Sequence, residues 1–127
     1  MPNKICRLRR AAFKRQLGLC YYCGFPMSLD GCRPGVSRPK TLLTCTAEHL
    51  IPRSAGGCDN AANIVAACLC CNQSRHRGQR VLDPVNYRAY VQRCVASGTW
   101  ASAIQAMSPE HTACTGIAGS AFQLERA

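Results

Sequence analysis

A chain of 127 residues, 47% of them apolar, is long enough for one domain with a modest core, which excludes a disordered polymer and argues against several domains. Its net charge of +10 makes a polyanion the expected partner, with a merely solubilising surface as the plain alternative. No stretch approaches the roughly 20 consecutive apolar residues a bilayer span needs, so no membrane partner is expected.

The charge is unevenly placed: residues 1 to 80 hold 13 of the 16 Lys/Arg and 3 of the 6 acids, and residues 81 to 127 are neutral. Over residues 4 to 17, Ile5, Leu8, Ala11, Ala12 and Phe13 recur among Lys4, Arg7, Arg9, Arg10, Lys14 and Arg15. This predicts a basic amphipathic helix stopped by Gly18, with its Arg/Lys face left for solvent or phosphate. Cys20 and Cys23 then form a Cys-x-x-Cys knuckle. Residues 30 to 40 are rich in turn formers and read as a loop.

From Thr41 to Ile51 the β-branched and apolar content predicts a strand that Pro52 terminates. Neighbours on a regular strand face opposite ways, so Glu48 and His49 serve one ion only if the strand turns irregular there. Residues 52 to 62, with Gly56-Gly57 and Asp59-Asn60, read as a looped connection to a second strand over Asn63 to Ala67. After the second knuckle, Cys68 and Cys71, a short helix is expected from Asn72 to about Arg80, with Asn72 capping or beginning it. Asp83-Pro84 is an N-cap and first-turn pair, Tyr87, Tyr90, Val91, Cys94 and Val95 fall at helical spacing, and Ser97-Gly98 ends the run. A further short helix is expected from Trp100 to Met107; beyond it, residues 108 to 127 are small and polar and are expected to be disordered. With only 6% aromatic residues the core should be lean, built from Leu, Ile, Val, Ala and Cys.

The cysteine count is 11, and an odd count without an apolar leader, in pairs of metal spacing, points to a reducing cytoplasm and a bound metal, not to a disulfide scaffold. Four thiolates at Cys20, Cys23, Cys68 and Cys71 suit a tetrahedral structural Zn²⁺. Cys70 could replace Cys68 or Cys71; it and Cys6, Cys32, Cys45, Cys58, Cys94 and Cys114 otherwise read as small buried or half-buried thiols. An acid, a base and two amides, Glu48, His49, Asn63 and Asn72, suit a second, hard cation engaged in hydrolysis. His49 is the candidate base, because imidazole titrates near neutrality. His76 lies four residues after Asn72 on the same helical face and is a candidate added ligand, phosphate contact or solvent exposure being the readier reading. Arg53, Arg75, Arg77 and Arg80, with Arg9, Arg10 and Lys14 of the first helix, are candidate nucleic-acid contacts.

The run Cys20-Tyr-Tyr-Cys23-Gly24, then Ala47-Glu48-His49-Leu50-Ile51-Pro52-Arg53-Ser54-Ala55-Gly56-Gly57, then Asn60-Ala-Ala-Asn63 through Cys68-Leu-Cys-Cys71-Asn72, resembles the zinc-knuckle HNH endonucleases. The resemblance implies an α+β fold: a ββα-metal core stapled by the four-cysteine zinc site, spanning residues 1 to 80 with the basic helix, followed by a helical extension over 81 to 107. It implies His49 as base, Asn63 as the residue that orients the loop, and Asn72 in the third motif position. Glu48, standing where aspartate or histidine is more usual, and Asn72 would hold a catalytic Mg²⁺, or Mn²⁺ or Ni²⁺. The implied activity is metal-dependent hydrolysis of phosphodiester bonds in DNA, or RNA. The rival is a zinc-stabilised nucleic-acid-binding module that does not cleave. No protein partner or oligomeric state follows from the sequence.

Overall fold

Helix α1 (Lys4–Arg15) begins where the Asn3 side chain accepts a hydrogen bond from the Cys6 N–H, and Lys4 opens its first turn. In the computed structural model, which describes residues 3–29, 41–78 and 80–101, its charged face is exposed at Lys4, Arg7, Arg10 and Lys14. The reversal falls one residue before the expected Gly18. Leu17 takes the left-handed conformation (φ 57°), its N–H meets the Lys14 carbonyl, and the Gly18 N–H reaches the Phe13 carbonyl. This is a Schellman closure with leucine where glycine is preferred. Leu17 is 84% exposed, so its side chain returns little packing for the backbone conformation it must hold. Leu17→Gly is therefore expected to stabilise the fold by about 0.5–1 kcal/mol, read as a rise of a few degrees in the thermal midpoint.

Strands β1 (Cys45–His49) and β2 (Ile64–Cys68) form an antiparallel hairpin, with Cys45 opposite Cys68 and His49 opposite Ile64. β1 is shorter than the sequence suggests. Residues 41–44 make a turn, closed by the Thr44 N–H on the Thr41 carbonyl and the Thr41 N–H on Thr44 Oγ1, so local threonine bonding displaces the ladder. Every residue of β2 is buried, and the centre of its outer edge is capped by a side chain. The Gln16 amide both donates to the Ala66 carbonyl (2.8 Å) and accepts from the Ala66 N–H (2.9 Å), with the Tyr21 N–H, Arg15 and the Cys20 sulfur pairing the rest of that edge.

Helix α2 (Leu69–His76) starts three residues earlier than expected and ends at His76. Its N-cap is the Cys68 sulfur, which accepts from the Cys71 N–H, and not Asn72, which lies inside the helix. Helix α3 (Pro84–Ala96) follows its forecast: the Asp83 carboxylate accepts from the Asn86 N–H, and Tyr87, Val91 and Cys94 are buried. The Tyr87 hydroxyl donates to the Cys71 carbonyl (2.9 Å), docking α3 on the second knuckle.

The core differs in composition from the expectation. No leucine among the described residues is fully buried; Tyr22, Tyr87 and Trp100 fill the centre with Val91, alanines and cysteines, and Tyr22 meets Tyr87 edge to face at 4.9 Å. Few aromatics thus suffice because three of them converge. Residues 99–101 are helical; the rest of the forecast helix to Met107, the loop over 30 to 40 and the tail from 108 lie outside the described residues.

Candidate metal centre and active site

The two knuckles meet because β2 runs directly into α2 and the hairpin brings that junction against Cys20 and Cys23. The four sulfurs of Cys20, Cys23, Cys68 and Cys71 are buried and lie within 4.8 Å of one another, with Cys23 and Cys68 3.9 Å apart. A tetrahedral zinc with bonds near 2.3 Å has sulfur–sulfur edges of about 3.8 Å, so the donor set and its spacing fit that ion. The Cys68 N–H points at the Cys20 sulfur (3.3 Å) and the Cys71 N–H at the Cys68 sulfur (3.4 Å). Such donors stabilise thiolates. Hydrogen bonds from Cys23 and its neighbours push the Cys20 thiol far down, while the same crowding, Cys20 first, pushes Cys71 far up. Four thiolates therefore need a cation among them. Cys70 is outside this cluster, buried in the core, so the group able to hold a metal among the described residues is the two Cys-x-x-Cys pairs. Cys45 is an inert thiol, pushed up to about 11 by burial. Cys6 departs from the expectation of a plain thiol: it is disulfide-bonded, whereas the other described cysteines are free thiols.

β1 stays regular through His49, so Glu48 and His49 leave opposite faces of the strand and the expected irregularity is not found until Leu50. Glu48 turns towards α2 and is 2% exposed. Its Oε2 accepts from Arg75 Nη1 (3.0 Å) and from the Tyr22 hydroxyl (3.0 Å), whose own proton is held on by burial. Its Oε1 faces His76 Nε2 at 3.0 Å. Two donors on adjacent vertices of an octahedron, each about 2.1 Å from the ion, stand about 3.0 Å apart, so this edge fits a divalent cation. Asn72, one turn before His76, gives its Nδ2 to Thr46 Oγ1 (2.9 Å), leaving its carbonyl oxygen as the donor end.

Arg75 corrects the sequence reading. It is 1% exposed and no phosphate contact. Its guanidinium serves the carbonyls of Leu82, His49 and Leu50 as well as Glu48 and Tyr22, tying the end of β1 to α2 and the segment before α3. Arg9 is also turned inward, donating to the Cys45 carbonyl. Arg10, Lys14, Arg53, Arg77 and Arg80 are exposed.

His49 faces the loop between the strands. Its Nε2 lies 2.7 Å from Asp59 Oδ1, and Arg53 donates to the same carboxylate at 3.1–3.3 Å. These contacts, His49 first, hold the Asp59 carboxyl below its ordinary range. Asn63 ties the loop down: Oδ1 accepts from the Ile51 N–H (2.8 Å), and Nδ2 donates to the carbonyls of Ile51 (3.0 Å) and Cys58 (3.1 Å). Gly57 passes so close that a Cβ there would sit 1.7 Å from the Ile51 oxygen. Asp59, Tyr22 and the buried role of Arg75 went unread in the sequence; the one available signal was an acid two residues past the glycine pair that a loop this tight must fold back over the strand end.

Residues 20–78 match the family model described as HNH endonuclease. No curated protein and no solved structure matches the chain. A thiol cluster fit for zinc and a two-stranded hairpin running into a helix agree with that match: residues 20–78, just under half of the chain, are similar to the HNH endonuclease family.

Proposed function

We propose that the protein hydrolyses phosphodiester bonds of DNA with a divalent cation and His49 as general base. The observation that carries this reading is the 3.0 Å pairing of Glu48 Oε1 with His76 Nε2 on the strand face that Asn72 also meets. When bound there, a divalent cation supplies Lewis-acid polarisation of the phosphate and offsets charge on the leaving oxygen. His49 takes a proton from water; the hydroxide's electron pair forms the new bond to phosphorus, the bond to the 3′ oxygen breaks, and that oxygen gains a proton from solvent. Asn63 keeps the loop from drifting and so keeps His49 in place. Exposed Arg10, Lys14, Arg77 and Arg80 are the cations available to neighbouring phosphates, on DNA or on RNA.

The charge of Glu48 is balanced by buried Arg75, so the site's donors carry little net charge. An imidazole nitrogen at His76 then favours Mn²⁺ or Ni²⁺ over Mg²⁺. The same proposal places the protein in a reducing cytoplasm, supported by the free thiols of Cys20, Cys23, Cys68 and Cys71 and opposed by the Cys6 disulfide.

A second reading, a binding module that does not cut, is favoured by one feature, the engagement of Glu48 by Arg75 and Tyr22. Plasmid nicking in Mn²⁺ and in Mg²⁺ separates the two. The nuclease reading expects wild type to nick, fastest in Mn²⁺, and His49→Ala to nick at least about 100-fold more slowly with DNA binding retained. Retarded plasmid without nicks from either protein supports the module.

A further inference from the structure

Asp59 has no part in the chemistry described so far, yet its carboxylate makes the shortest side-chain contact of the base, 2.7 Å to Nε2. With Arg53 donating from both Nε and Nη2, Asp59 is an anion with no proton to give. Nε2 must therefore be the donor, and a neutral imidazole that carries its proton on Nε2 has its lone pair on Nδ1. We propose that Asp59 is a positioning residue for His49, fixing the Nε2–H tautomer and the ring's orientation so that Nδ1 is the nitrogen that receives the proton of the attacking water; this rests on the nuclease reading.

Exposed ion pairs ordinarily contribute little because both side chains wander. This one is bracketed. The Cys58 carbonyl, immediately before Asp59, is held by Asn63 Nδ2, and Asn60, immediately after it, accepts from the Asn63 N–H through Oδ1 (3.0 Å). Gly57 lies against the Ile51 carbonyl. The loop thus presents Asp59 to His49 from a backbone pinned on both sides, while Arg53, in the turn Arg53–Ala55, donates to both carboxylate oxygens. Arg53 on this reading orients Asp59 and is no phosphate contact.

The competing role is obstruction, in which Asp59 occupies the nitrogen that water needs. The two give opposite signs. Positioning expects zinc-loaded Asp59→Ala to lose about 10- to 100-fold in kcat for Mn²⁺-supported nicking, with KM for plasmid and Mn²⁺ affinity unchanged, and Asp59→Glu to recover part of the loss. Imidazole ¹⁵N shifts, assigned with His49→Ala, should report the Nε2–H tautomer in wild type and a mixture in Asp59→Ala. An unchanged or raised kcat, or an Nδ1–H tautomer in wild type, would overturn the proposal. If wild type does not nick at all, the nuclease reading fails, and the nitrogen shifts still decide whether Asp59 sets the state of His49.

Discussion

Stripping zinc from the protein, or replacing Cys71 by serine, is expected to unfold it. Structural zinc sites contribute about 10–16 kcal/mol, and a whole domain has about 5–15 kcal/mol of net stability. Here the dependence is sharpened by what the cluster joins. Cys68 ends β2 and caps α2, Cys71 lies in the first turn of α2 and carries the carbonyl that Tyr87 of α3 binds, and Cys20 and Cys23 flank Tyr22 at the centre of the core. Chelation should abolish the helical circular dichroism signal, and added zinc should restore it at one equivalent. A chain that keeps its helices after chelation would show that the apolar core suffices.

Arg75→Met should cost about 3–5 kcal/mol, the penalty for leaving a buried partner charge uncompensated. The partner is Glu48, and both side chains are at most 2% exposed. Five acceptors lose an arginine N–H at once, three of them backbone carbonyls, those of His49 and Leu50 at the end of β1 and of Leu82 before α3. Chemical denaturation of the zinc-loaded protein reads the loss as a lower midpoint at constant slope. Arg75→Met with Glu48→Gln should be less destabilised than Arg75→Met alone, because the stranded charge is gone. If Arg75 were instead a phosphate contact, stability would be unchanged and only DNA affinity would fall.

The four-cysteine cluster was legible because a metal demands fixed donor types at fixed spacing, and Cys20/Cys23 with Cys68/Cys71 are such a pattern. Asn63 was legible for a related reason: one amide has to close one loop. Arg75 was not. An arginine beside Arg77 and Arg80 reads as surface charge, and its partners Tyr22 and Glu48 are 53 and 27 residues away in sequence, so no local signal marks it as buried. Asp59 was hidden similarly, as a turn former among turn formers, ten residues from the imidazole it meets. The start of α2 was misplaced because a sulfur caps it, where Asn72 offered the more usual side chain. Strand β1 was overextended because threonine is favoured both in strands and in the turn that Thr41 and Thr44 form.

Glu48 and His49 face opposite ways, so the proposed chemistry requires a phosphate that reaches the ion on one side and the base on the other. Anomalous scattering from Mn²⁺ in crystals of the zinc-loaded protein with a short DNA duplex tests this directly. The expected result is one Mn²⁺ within about 2.4 Å of Glu48 Oε1, Asn72 Oδ1 and His76 Nε2, touching a phosphate whose attacking water hydrogen-bonds His49 Nδ1. Mn²⁺ lodged between His49 and Asp59, or DNA lying on the α1 face with no metal near Glu48, would contradict it.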